Sequence, residues 1–254
     1  MKNYIIKFCA FLSILLFYAC STENNMLDEE VKAKADLVEK LTKLMLTEKL
    51  DGSILLQSNA LGVGNKQSRR VAISEKRSEQ SNLRSNKSIE IFDGLKSSIQ
   101  FENNSFDSRF ENLFGDTLNY TIYEKGQRIG GSGDSIYIPE LISVNFSSNF
   151  IEAGSTISWN ADNLNTNGVV VFITYDPLHQ LNGNIAWENQ FRISETFVVE
   201  DSQGSYQISQ QDVERFPKDA IITIRVSRGA YQVHENEPSF IAITSVRNEM
   251  NLKK

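Results

Sequence analysis

Seven short runs in which apolar and polar residues alternate follow one another from Ile136 to the end of the chain: "LISVNFSS", "STISWNAD", "GVVVFITY", "ISETFVVED", "GSYQIS", "AIITIRVSRG" and "SFIAITSVRN". A period of two sends successive side chains to opposite faces of a strand. Ile142, Val144 and Phe146 therefore share one face of the first run, and Ile157 and Trp159 one face of the second. Ile222, Ile224 and Val226 line one face of the sixth, with Thr223 and Arg225 on the other. Turn residues separate the runs, and about seven such strands in roughly 110 residues predict a β-sandwich. "SQQDVERFP" breaks the pattern. There Ser209 with Asp212 reads as a helix start and Pro217 as its stop, so one helical turn joins two strands. The chain has two cysteines, Cys9 and Cys20, both far upstream of this region. A disulfide or a thiolate metal site is thereby excluded from the sandwich, which must be held by its apolar core.

The upstream part is built differently. Lys2 and Lys7 precede an apolar run from Phe8 to Ala19. A basic start, a short apolar stretch and a small residue before the break make an export signal over residues 1–19. The run is short of the roughly 20 residues that span a bilayer. Leu16-Phe17-Tyr18-Ala19-Cys20 resembles the lipobox of bacterial lipoproteins, in the looser form of the Bacteroidota type. That resemblance implies a diacylglyceryl group on the Cys20 thiol, cleavage before it, and acylation of the new amino terminus. The membrane, reached through this lipid anchor, is then the first expected partner, and the location is the outer membrane. Glu23, Asp28, Glu29 and Glu30 accompany export to the outer face in such lipoproteins, and a periplasm-facing anchor is the alternative. Loss of Lys2 and Lys7 leaves 24 basic against 32 acidic residues, a charge of −8. Nucleic acid is therefore not an expected partner.

After a tether at 20–27, "LDEEVKAKADLVEKLTKLMLTEKLDG" places Val31, Val38, Leu41 and Met45 at helical spacing. Acids open the stretch, lysines close it and Gly52 ends it, which predicts an amphipathic helix over 28–52. Residues 53–88 are rich in Ser, Asn, Gln, Lys and Arg and predict a polar, basic, flexible linker. Residues 89–135 form a small mixed segment whose periodicity leaves the fold open, with strand-like runs beside Phe106, Phe110 and Phe114 spaced by four. The sandwich occupies 136–250. The expected fold class is mainly β, a C-terminal immunoglobulin-like sandwich preceded by an N-terminal amphipathic helix and a flexible linker.

"GSTISWNADNLNTNGVVVFITY" looks like the B and C strands of fibronectin type III and related immunoglobulin-like modules, with Trp159 and Tyr175 at the places those modules give to Trp and Tyr. The resemblance implies that the B–C and F–G loops share one pole. Asn163, Asn165, Tyr231 and His234 would gather there, where such modules bind. Trp187, in "NGNIAWENQF", either stacks on a sugar or joins Ile185, Phe191 and Ile193 on an inward face, and the spacing favours the core. Asn163–Gly168 imitates the start of a calcium loop, yet its twelfth position would be Thr174 where a bidentate Glu is needed. His179 and His234 each lack a second ligand at metal spacing. No Gly-x-Ser-x-Gly elbow is present. The sequence thus offers no catalytic residue, metal site or cofactor motif. Asp116-Thr117-Leu118 and Asp134-Ser135-Ile136 resemble the O-glycosylation sequon of Bacteroidota. The expected function is a membrane-anchored envelope module that binds or assembles, with a glycan or an envelope protein as partner. The alternative is a glycan hydrolase using two carboxylates.

Overall fold

The computed structural model describes residues 54–62, 68–75, 87–92, 98–102, 105–106, 108–131, 135–180, 191–232 and 240–254. Cys20, the segment 28–52, Trp187 and His234 lie outside them. The strands upstream of the expected sandwich are β1 (Ile54–Leu61), β2 (Ser68–Glu75), β3 (Lys87–Phe92), β4 (Ser98–Glu102), β5 (Ser105–Phe106), β6 (Thr117–Glu124) and β7 (Gln127–Gly131). Then come β8 (Ile136–Tyr137), β9 (Val144–Phe146), β10 (Phe150–Ile151), β11 (Thr156–Trp159), β12 (Val169–Tyr175) and β13 (Ile193–Val199). The chain closes with β14 (Ser205–Gln207), helix α1 (Gln210–Glu214), β15 (Ile221–Gln232) and β16 (Phe240–Leu252).

The expected alternation is realised in the C-terminal half. A three-stranded sheet, in order β14-β11-β9, faces β13-β12-β15-β16, and β10 adds to β16 in parallel. This is the E-B-A against C′-C-F-G arrangement of a fibronectin type III or immunoglobulin-like sandwich. Val144, Ile157 and Trp159 from one layer meet Val171, Ile173, Ile222, Ile224 and Val226 from the other in one core. Ser209 caps α1, accepting a hydrogen bond from the Asp212 amide while the Asp212 carboxylate accepts one from the Ser209 amide.

The upstream half corrects the expected fold class. The described residues hold no substantial helix, since the five-residue α1 is their only α-helix. The flexible linker is also displaced: β1 runs parallel to the first part of β16 and pairs with β2 on its other side. The physical reason lies in Ile54, Leu56, Val71 and Ile73, which are buried on one face of these strands. Their alternation is diluted by the Ser, Asn and Arg residues around them, and the strand that completes their hydrogen bonding lies almost 200 residues away, near the C-terminus. The main sheet therefore extends past the sandwich in the order β13-β12-β15-β16-β1-β2-β5. The segment that periodicity left open supplies the opposing sheet β4-β3-β6-β7, with β8 on β6. Ile89, Ile91, Leu118, Tyr120 and Ile122 pack there against Leu56, Ala230, Phe240 and Ala242 in a second core. Tyr120 and Phe240 stack with ring centroids 4.6 Å apart. Phe110 and Leu113, on a 3₁₀ turn at Ser108–Leu113, close this core.

Candidate functional site

The loop joining β11 to β12, residues 160–168, is tied down from beneath. Asp162 is buried and its carboxylate accepts the Leu164 amide at 3.0 Å, an Asx-type turn. The Asn165 side-chain oxygen accepts the Asn167 amide at 3.2 Å. Its side-chain NH₂ donates to the Gly168 carbonyl at 2.9 Å and to the Asp201 carboxylate at 2.7 Å. Gly168 has φ +78°, and a Cβ there would stand 2.8 Å from the Val199 carbonyl oxygen. The position needs glycine both for its left-handed backbone and for that close approach. Above this frame Asn163, Leu164 and Thr166 are exposed, as are Ser202 and Gln203 on the turn that carries Asp201.

Asp201 is the hub. Its carboxylate accepts from both Asn165 and the Trp159 indole N–H, the latter at 3.0 Å, and from the Asp162 amide at 3.3 Å. Arg228 Nη1 lies 3.0 Å from each of its oxygens, and both side chains of this ion pair are fully buried. Asp162 in turn accepts the Tyr137 hydroxyl and the Glu140 amide. Burial, and then the hydrogen bond to the Asp162 carboxylate, hold the Tyr137 hydroxyl protonated well above its ordinary range.

Arg228 also marks where the two cores meet. Along β15 the same face carries Ile222, Ile224 and Val226 into the first core and Ala230 into the second, with Arg228 between them. Thr244 on β16 pairs with Arg228, and Ser58 on β1 pairs with Thr244, so a polar row crosses the sheet between two apolar fields. From β2, Arg69 donates to the hydroxyls of Ser58 at 2.9 Å and Thr244 at 3.2 Å. Both arginines hold the segment that passes from one body to the other. Arg228 Nε donates to the Glu140 carbonyl at 2.8 Å, and Arg69 Nη2 to that of Ile142. The Ile142 amide donates to Thr244 Oγ1 at 3.1 Å. Ile138, before this crossing, belongs to the second core, and Ile142, after it, to the first.

The four residues expected to share a pole are placed as follows. Asn163 is exposed at the loop tip, and Asn165 lies inside the network below it. The loop meets β15 where the Asn167 side-chain amide donates to the Gly229 carbonyl at 3.0 Å. Tyr231 is two residues further on, half-buried, and its parity on β15 puts it on the face opposite Arg228. His234 is outside the described residues. Sequence reasoning missed Asp201, Arg228, Asp162 and Tyr137. One signal was present: continuing the inward alternation of β15 past Val226 lands on Arg228, a charge that a buried position must pair.

Chemically this network holds a structure in place. The acceptor sites of Asp201 are taken by Arg228, Trp159, Asn165 and Asp162, which leaves no lone pair for a proton transfer to substrate. Among the described residues no group of three or more His, Cys, Asp or Glu is placed to hold a metal ion, and no helix is long and apolar enough to cross a membrane. No family model matches the chain, and no curated protein matches it. A solved structure similar to it is that of the chicken CNTN1 FN1-FN3 domains, at 10% identity over 82% of this chain and 67% of that one. Its TM-score is 0.23, and the fold assignment rests on strand order alone.

Proposed function

We propose that the chain is an envelope lipoprotein, anchored in the outer membrane through an acylated Cys20, whose immunoglobulin-like domain is a binding module. A glycan or an envelope protein is the partner, and the loop tip around Asn163 is the contact surface. The observation that carries this reading is the contrast at residues 160–168: an exposed rim of Asn163, Leu164 and Thr166 on a frame locked by Asp162, Asn165 and Asp201. A loop already ordered before binding loses little conformational entropy on contact. Asp162 and Asp201, the carboxylates beneath the rim, are consumed in that frame, which favours binding over hydrolysis there. The test is calorimetry of the full chain against a panel of envelope polysaccharides and purified envelope proteins. N163A with T166A should weaken the ligand found at least tenfold, while L178A, on the connection after β12, leaves it unchanged. Release of reducing ends from a polysaccharide, lost on substitution of an acidic residue, would establish the hydrolase instead. Replacement of Cys20 by Ala should move the protein from the membrane to the soluble fraction, and continued membrane retention would remove the anchor.

A further inference from the structure

On the outer face of the main sheet, away from both cores, Arg225 on β15 and Arg247 on β16 stand directly opposite one another. Paired positions on neighbouring strands bring side chains to about 5 Å at Cβ, where like charges oppose folding. Among the described residues the pair is poorly neutralised: Arg247 reaches Glu249, two residues along its own strand, at 2.9 Å and with both side chains open to solvent at 35% and 55%. Arg225 is half-buried, and makes no hydrogen bond or ion pair among the described residues. Burial and the charge of Arg247 together hold its guanidinium below the ordinary arginine pKa. Among the described residues, in a chain of formal charge −6, two guanidinium groups thus stand side by side with one exposed carboxylate beside them.

We propose that Arg225 and Arg247 form an oxyanion site that takes the carboxylate or sulfate groups of an acidic polysaccharide. Two planar forks carried on facing positions of neighbouring strands suit bidentate recognition of such a group. The row through the pair runs Thr196, Phe172, Arg225, Arg247, Leu61 across β13, β12, β15, β16 and β1, and the adjacent row adds Thr174 and Thr223. Threonine hydroxyls beside the charges match sugar hydroxyls. Arg70, exposed on the same face of β2, lies two strand spacings and two residues from Arg247, about 12 Å, and offers a second contact to a repeating polyanion. Leu61 is the one exposed large apolar residue in the row, too little for insertion among lipids. The site is on a different surface from the loop tip and stands or falls separately from it.

The test is binding of the full chain to immobilised polygalacturonate and heparin, with neutral dextran as the uncharged probe. The expected result is binding to an acidic polymer and none to dextran, weakened by added salt. R225Q and R247Q should each lower affinity tenfold or more, and R225K should lose most of it as well because an ammonium cannot replace the fork. K125Q and K218Q, equal in charge change and elsewhere on the surface, should leave it unaltered. A second readout keeps the test independent of folding: relief of the like-charge contact predicts that R225Q melts no lower than the parent, and up to about 4 °C higher. Equal losses from the four glutamine variants, no binding to either acidic polymer, or a lower Tm for R225Q would each overturn the site. Persistence of an Asn163-dependent ligand in those circumstances would leave the binding module itself standing.

Discussion

The residue on which most of the described network depends is Arg228. A guanidinium with no exposure is tolerable only because Asp201, the Glu140 carbonyl and the Asn160 carbonyl all accept from it. Breaking a buried pair by removing one partner leaves the other charge without compensation, so Asp201→Ala should cost about 3–5 kcal/mol of unfolding free energy. Arg228→Met in the same chain should recover part of that loss, because an apolar side chain of similar length needs no partner. Urea titrations of the two single variants and the double variant measure the coupling. A double variant as unstable as the sum of the singles would mean that the two residues act independently.

The elements that decide the architecture are β15 and β16, twelve and thirteen residues long. Their pairing runs without a register shift from Ile221 opposite Asn251 to Gln232 opposite Phe240. Toward the C-terminal end of β15 the backbones come close: a Cβ on Gly229 would stand 2.5 Å from the Ala242 carbonyl oxygen. Gly229→Ala must therefore push the strands apart where the two cores adjoin, and should destabilise by about 1–3 kcal/mol, as overpacking does. Gly126 has nothing within 4 Å of its added Cβ, although its φ of +80° adds backbone strain to any substitution. Gly229→Ala should lower the thermal midpoint and also disturb the Asn167 contact to the Gly229 carbonyl. An unchanged Tm would show that the hairpin yields at no cost.

At the scale of the molecule, two cores share one sheet and a single pair of long strands. Neither can lose β15 and β16 without exposing the other, so the described residues should unfold as one cooperative unit. Ile224→Ala in the first core and Ile122→Ala in the second each remove a side chain of 0% exposure and should each cost about 2–5 kcal/mol. Both should lower one common midpoint, read by far-ultraviolet circular dichroism and by tryptophan fluorescence. Two separate transitions, each moved by only one substitution, would divide the molecule into independent domains.

The C-terminal sandwich was legible because its information is local. Alternation names the inward faces of β9, β11 and β15, and Ser209 with Asp212 and Pro217 marks α1, all within windows of about ten residues. The Asn-rich loop after Trp159 was visible for the same reason, since turn chemistry is written in adjacent residues. The rest depends on partners distant in the chain. Nothing near Ile54–Leu61 says that it will lie parallel to Phe240–Arg247, because a strand's value there is set by its neighbour's hydrogen bonds and not by its own composition. Asn165 reads as a loop residue, yet its amide is buried because Asp201, 36 positions later, needs a donor. Arg225 and Arg247 read as ordinary outward charges on separate strands. Only strand pairing, fixed by turn and hydrophobic register together, sets them face to face.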